Sequence, residues 1–358
     1  MEKFKDNRYL PLAWLEESIQ QLGLQSQAKC LGQSEENRPI YGFTLGTGNK
    51  KVLMWSQMHG NETTTTKAVM DLLSEIQSGQ HKALLEQLTL YIIPMLNPDG
   101  AERYTRLNAN EVDLNRDAVN QTQKEAQLLV EQFHRIQPDL CLNLHGQRTI
   151  FSAGSPETPA SLSFLAPSYN AERLVNPTRS VAMKIIAEIT AAFPEKKGWG
   201  IGRYDDGFNL NCMGDYFTHK GTPTILFEAG HYPEDYQRKH TRTLIHKALV
   251  TTLSSFSSAT YTRFSTTDYF AIPENKKNLC DIELINFTNV NNRNSTQYYQ
   301  YKEVLEDQQI SFVPEALVTD GKLYGLKRID FSRLDENITN SKLFDNNLKK
   351  WFEMFNSM

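Results

Sequence analysis

Two rhythms of apolar and polar positions alternate along the first 260 residues, and each change of rhythm predicts an element. Apolar residues recur at helical spacing over 11–22, and GFTL (42–45) and KVLMWSQ (51–57) then read as strands set off by turn residues. Thr63–Gln77 puts Ala68, Val69, Leu72, Leu73 and Ile76 on one stripe, the pattern of a helix lying on a sheet. A nearly continuous apolar strand follows at 88–96, a helix at 122–136 and a strand at 140–144. A helix at 178–193, a strand at 224–227 and a helix over about 236–256 complete the series. Strands apolar on both faces and alternating with helices predict an α/β domain with a largely parallel or mixed sheet covered on both sides.

The stretch SSFSSATYTRFSTT (254–267) changes the composition to small polar residues and marks a domain edge. We expect a catalytic domain over 1–260 and a small β-rich accessory module over 265–358. DIELINF, QYYQYKEV, ISFVPEALV and KLYGLKRIDF read as its short strands. A closing helix would carry Leu343, Phe344, Leu348, Trp351, Phe352 and Phe355, and the Asn-rich NFTNVNNRNST reads as a loop. Gly198, Gly200 and Gly202 read as a short glycine-spaced turn, and NPDG (97–100) as a turn.

A length of 358 residues allows one large domain and an appendage. A net charge of -4 with acids and bases interspersed leaves no broad basic face, which argues against nucleic acid and anionic membranes as partners. The four cysteines (Cys30, Cys141, Cys212, Cys280) are widely spaced, so they suggest buried free thiols rather than a cysteine metal site or a disulfide framework. No apolar run approaches the ~20 residues of a membrane span, and the N-terminus has no signal-peptide pattern. The expectation is a soluble, cytoplasmic protein. Self-association stays open.

The candidate chemistry collects where strands end. QMHGNE follows the first strong strand, and its His59 and Glu62 can turn onto one metal ion if Gly60 lets the chain bend without a Cβ clash. A second His-x-x-Glu, His231 with Glu234, has Pro233 inside it and lies past another strand. His145, at the end of LCLNLHG, is the natural third ligand, because a catalytic zinc takes three protein ligands and leaves one position open. Glu228 emerges from the apolar strand TILFEAG; burial there would suit it to act as general base and then acid toward zinc-bound water. In RYTRLNANEVDLNRD, Asn115 with Arg116 suits a substrate's terminal carboxylate, and Arg106 suits the oxygen that gains charge in the transition state. Ligands gather beyond the carboxyl ends of strands in open α/β sheets, so these groups form one candidate site.

In order along the chain, HGNE (59–62), NPDG (97–100), DLNRD (113–117), LHG (144–146) and FE (227–228) resemble the carboxypeptidase A-like zinc peptidases over roughly residues 40–250. RLNANEVDLNR is most similar to bacterial members such as murein-peptide amidases. The resemblance implies a three-layer α/β/α fold around a mixed, mostly parallel eight-stranded sheet. It implies one zinc ion on His59, Glu62 and His145, with Glu228 promoting water, Arg106 assisting the oxyanion, and Asn115 and Arg116 gripping the carboxylate. It also implies a tyrosine that closes over the substrate; Tyr204 fits that place approximately, with Tyr232 and Tyr216 as alternatives.

The function expected is therefore a metallocarboxypeptidase acting on a peptide or small amide with a free carboxylate. The rival is an amidohydrolase similar to aspartoacylase and succinylglutamate desuccinylase, which would act on small N-acyl amino acids. NPDG and the spacing from Arg106 to Asn115 favour the peptidase. A peptide-binding protein that lost catalysis is disfavoured by the complete ligand set, and serine chemistry by the lack of a G-x-S-x-G elbow. Met213, Asp215, Asp205 and Asp206 are candidates for the pocket that selects the terminal side chain.

Overall fold

The computed structural model describes residues 7–288 and 294–330. Its first five strands are β1 (Lys29–Gln33), β2 (Pro39–Leu45), β3 (Lys50–Ser56), β4 (Leu88–Ile93) and β5 (Leu140–Gly146). Then come β6 (Phe151–Ala153), β7 (Ala160–Leu165), β8 (Gly200–Arg203) and β9 (Thr224–Ala229). All but β6 join one eight-stranded sheet in the order β1-β2-β4-β3-β5-β9-β7-β8. Its centre, β4-β3-β5-β9, is parallel, and antiparallel pairs occur at β1/β2, β2/β4 and β7/β9. This is the α/β fold with a mixed eight-stranded sheet that was expected.

The three layers follow from side chains that alternate across β3. Val52 and Met54 enter a core with the helices Thr63–Gln77, Pro177–Ala191 and Lys239–Ser258. Leu53 and Trp55 enter a second core with the helices Lys124–Ile136 and Met213–His219. Such alternation is the period-two signature of a strand covered on both faces. Trp55 is fully buried and meets Phe217 edge-on at 5.4 Å, an aromatic geometry that adds about 1 kcal/mol beyond the area it buries.

Several elements depart from the sequence reading. The apolar run expected to continue to residue 96 stops at Ile93, before Pro94, which has no N–H for a ladder. NPDG opens a short helix, Pro98–Arg103, because Asn97 caps it by accepting from the Gly100 N–H at 2.8 Å and Pro98 suits the first helical turn. The glycine-spaced segment is largely strand: Gly200 and Gly202 lie in β8. A Cβ on Gly202 would sit 1.7 Å from Asn275 Oδ1, so the glycine admits the neighbouring ribbon. Strand β7 was not anticipated, because its two serines interrupt the apolar run.

The remaining strands are β10 (Asn275–Lys277), β11 (Leu279–Thr288), β12 (Asn294–Glu306), β13 (Gln309–Leu317) and β14 (Tyr324–Asp330). β10 pairs with β6 as a two-stranded ribbon, while the other four form a separate sheet in the order β13-β12-β11-β14. Before it, the helix Thr266–Phe270 buries Tyr269 against the first body, where Ala166 N–H donates to its hydroxyl. The sheet's inner face, including Ile282, Leu284 and Phe312, packs against Tyr9 and Tyr104. Arg8 donates to both oxygens of Glu303 at 2.9 and 3.1 Å, and Tyr104 donates to the same carboxylate at 2.5 Å. Among the described residues no helix is long and apolar enough to cross a membrane. The expected closing helix lies outside the described residues, as do positions 289–293 of the Asn-rich stretch, whose flanks 286–288 and 294–296 belong to β11 and β12 rather than to a loop.

Candidate metal centre and active site

The chain leaves β3 through Gln57, whose φ of 48° is left-handed and which is fixed by donating to the Leu10 and Gly60 carbonyls. This residue, not Gly60, makes the sharp bend. Gly60 serves a close approach, because a Cβ there would lie 1.9 Å from the Gly100 carbonyl carbon. HGNE and NPDG are thus packed backbone to backbone, and the Asn97 side chain donates to the Met58 carbonyl at 3.1 Å.

The turn aims His59 and Glu62 at His145, near the end of β5. His59 Nδ1 lies 2.8 Å from Glu62 Oε1, His145 Nδ1 lies 2.9 Å from Glu62 Oε2, and the two Nδ1 atoms are 3.1 Å apart. One ligand atom from each of the three residues falls within 4.8 Å of the others. Both imidazoles are 1 % exposed. Two ring nitrogens directed at one point beside a carboxylate form a donor set that fits a single zinc ion. The far side of His59 strengthens the fit: its Nε2 meets Asp113 Oδ1 at 3.1 Å, the carboxylate contact that fixes the tautomer of a metal-binding histidine. Sequence reasoning missed Asp113; the signal was the carboxylate that opens DLNRD.

Electrostatics at the centre follow from burial working against opposite charges. For Glu62, burial opposes ionisation, but His59 and His145 overcome it and hold the carboxyl well below its usual range. Asp113 is likewise held low, with His59 and Arg106 outweighing burial. Burial lowers His145. The second His-x-x-Glu does not converge. His231 is buried and kept neutral by burial and Arg238, whereas Glu234 points into an exposed turn.

Glu228 pairs in register with His145 across the parallel β5/β9 ladder, so backbone hydrogen bonds set their relation. Its Oε2 is buried and has no hydrogen-bond partner among the described residues, and burial, with Glu62 nearby, raises its pKa well above the carboxylate range. Just beyond both strands, the buried Arg238 donates to the carbonyls of Ala229 and Gln147 at 3.0 Å each. This guanidinium buckles together the ends of the strands that carry His145 and Glu228.

Arg106 reaches the same place. It donates to Asp113 at 3.0 and 3.2 Å and comes within 3.4 Å of Glu62 and 3.2 Å of His59 Nδ1, while staying 46 % exposed. Asn115 and Arg116 occupy the 3-10 turn Leu114–Arg116 that Asp113 caps. Asn115 accepts from the Met213 N–H at 3.1 Å, and Arg116 accepts from the Asn211 side chain through its carbonyl. Asp215 is buried nearby, and burial, against the pull of Arg116 and Arg179, raises its pKa to about 7. Asp206 is committed to the buried Arg179 at 2.5 Å.

A cavity of about 620 Å3 opens over Glu62, Arg106 and Glu228, and Tyr204 lines it. Burial and the nearby carboxylates raise the Tyr204 pKa. The alternative tyrosines lie elsewhere: Tyr232 stacks on His240, and Tyr216 sits beside Phe217 and Lys220.

Comparison with known proteins agrees with this geometry. Residues 12–172 match the zinc carboxypeptidase family model. Carboxypeptidase 2 of Trichophyton tonsurans is 30% identical over 99 residues, 26% of this chain and 18% of that one. Gamma-D-glutamyl-L-diamino acid endopeptidase 1 of Lysinibacillus sphaericus is 31% identical over 84 residues, 21% of each chain. The matched stretch thus spans about a quarter or less of the length of these curated relatives. Among solved structures, a metallo-carboxypeptidase from Burkholderia cenocepacia is similar in fold, with a TM-score of 0.52 and 20% identity over 70% of this chain and 71% of that one. A metallo-carboxypeptidase from Pseudomonas aeruginosa has a TM-score of 0.50 and 19% identity over 69% and 71%. Residues 12–172 are thus similar to the zinc carboxypeptidase family, and the shared fold and a His-Glu-His group suited to one metal ion agree with that similarity.

Proposed function

We propose that the protein is a zinc-dependent metallocarboxypeptidase that hydrolyses the C-terminal peptide bond, or a peptide-like amide bond, of a substrate with a free carboxylate. The observation that carries this reading is the convergence of His59, Glu62 and His145 beside a Glu228 held in register on the adjoining strand. Zinc, when bound by these three residues, supplies Lewis-acid polarisation and lowers the pKa of water. The chain's own residues do the rest. Glu228 takes the proton of the attacking water and passes it to the leaving nitrogen, a two-way role that suits a carboxyl whose proton affinity is raised. Arg106, exposed toward the cavity, donates to the carbonyl oxygen as it gains charge. Arg116 and Asn115 hold the terminal carboxylate, and Tyr204 closes the cavity above the reacting bond. A neighbour of this fold, the Pseudomonas aeruginosa enzyme, was solved with (2-guanidinoethylmercapto)succinic acid, which supports a carboxylate-recognising site.

Bound metal and release of C-terminal residues from a mixed peptide library test the reading. We expect near-stoichiometric zinc in both wild type and Glu228→Gln, with hydrolysis only in wild type. Equal turnover by both proteins removes Glu228 from its role. Turnover of N-acyl aspartate or glutamate with none of peptides would replace the peptidase by the amidohydrolase.

A further inference from the structure

The reacting groups make up only part of the lining of the 620 Å3 cavity. Glu62, Arg106, Tyr204 and Glu228 belong to that lining, whereas Asn115 and Arg116 do not and lie against Met213 and Asn211 instead. A substrate with its carboxylate at Arg116 and its last amide at Glu228 therefore has the cavity as the place for the residues that precede that amide.

Another part of the lining belongs to the C-terminal sheet, which supplies no reacting group. Gln300, Lys302 and Glu303 of β12 face the cavity, as do Phe312, Glu315 and Leu317 of β13. The cavity volume falls within the ~300–1,000 Å3 of small-molecule sites, which suits a short segment rather than a long extended chain.

Charge in the cavity is unevenly compensated. Glu303 is paired with Arg8 at 2.9 Å and Glu315 with Lys302 at 3.4 Å. Asp281 is fully buried and accepts from Tyr236 at 2.9 Å and from the Tyr301 N–H at 2.7 Å. Arg148 and Lys277 also line the cavity and are exposed, and their side chains have no ion pair or hydrogen bond among the described residues. Arg148 follows His145 by three residues, and Lys277 pairs in register with Phe151 on the β6/β10 ribbon.

We propose that this cavity binds the part of the substrate that precedes the scissile bond, that the C-terminal sheet limits it to short segments of about three residues, and that Arg148 and Lys277 favour an acidic residue within them. The direction of chain entry rests on the carboxypeptidase reading, so binding and turnover are measured separately. Zinc-loaded Glu228→Gln protein is titrated calorimetrically with peptides from dipeptides upward that share one C-terminal residue and carry Glu, Ala or Lys upstream. Wild type is assayed for hydrolysis of the same series.

Affinity is expected to rise to about four residues in total and then fall about tenfold for longer peptides. Glu-containing peptides should bind roughly three- to tenfold tighter than their Lys counterparts. The double substitution Arg148→Glu with Lys277→Glu, both at exposed positions, should reverse that order. Ala316→Trp, at an exposed position of β13 that lines the cavity, should move the length limit to shorter peptides. Thermal melting verifies that each variant is folded. A length profile that stays flat in both binding and turnover overturns the wall, and a charge preference that survives the double substitution overturns the role of the cations. The expected binding profile without hydrolysis by wild type would defeat the carboxypeptidase reading and leave the cavity assignment standing. Failure to bind at any length defeats the cavity assignment itself.

Discussion

Glu303→Leu perturbs the junction between the C-terminal sheet and the rest of the chain at its most heavily invested point. Arg8 is 8 % exposed, and its charge survives because Glu303 accepts two of its hydrogen bonds at 2.9 and 3.1 Å. Burial works against the guanidinium, and Glu303, aided by Tyr104, more than restores it. Removing the carboxylate leaves a buried cation facing a methyl group and deprives the Tyr104 hydroxyl of its acceptor. Loss of one member of a buried pair costs about 3–5 kcal/mol. Glu303 keeps 28 % of its side-chain surface in contact with solvent, so the lower end, about 3 kcal/mol, applies. At roughly 2–4 °C per kcal/mol, calorimetry should record a melting temperature lower by about 6–12 °C. The further replacement Arg8→Met removes the stranded charge, and an apolar substitute for a buried pair is often neutral. The double variant should therefore regain most of the loss. Additive destabilisation in the double variant, or a single-variant cost below about 1 kcal/mol, would show that the pair behaves as an exposed one and would refute the argument.

Other outcomes follow from the same structure. Gly60→Ala forces a Cβ onto the Gly100 backbone, which cannot shift as a flexible side chain would; we expect at least about 1–3 kcal/mol of destabilisation by urea unfolding, with weakened metal binding. Asp113→Asn removes the carboxylate from His59 Nε2 and should weaken zinc affinity roughly 10–100-fold in a competitive chelator titration while the fold, followed by circular dichroism, is retained. Asp215 has a folded-state pKa of about 7 against an ordinary 3.8, so the unfolded chain loses its proton first and stability falls as pH rises through that window. Asp215→Asn should consequently be the more stable protein at pH 8, by up to about 4 kcal/mol, and indistinguishable from wild type near pH 3.5; a constant difference across that range would count against the buried-carboxyl account.

The sequence was most legible where one physical signal dominated. The helix Thr63–Gln77 matches its expected bounds because its apolar stripe is uninterrupted, and β3, β5 and β9 show as apolar runs because both their faces are covered. Convergence of His59, Glu62 and His145 was readable because strand ends are where side chains from distant segments meet. Legibility failed where the cause is tertiary. Gly60 reads as a hinge, yet its reason is a neighbour about forty positions away, and Gly202 reads as a turn although it serves Asn275. Asp113 needed the imidazole ring in view before its carboxylate acquired a purpose. Nor could Arg238 be read as a buckle, since its partners are backbone carbonyls, which no residue pattern encodes.

The ladder that pairs His145 with Glu228 has a consequence for how this scaffold can be altered. Because the two side chains keep their separation through main-chain bonds, exposed loops within the excursion from Gln147 to Pro223, such as 194–198, can be lengthened or exchanged without retuning the distance between them, whereas its strands and helices build the sheet and both cores and cannot. A slip of one position in the pairing is another matter, since it would send one of the two to the opposite side of the sheet. Loop grafting in that excursion is thus the tolerant route to new selectivity, and insertion within either strand the intolerant one.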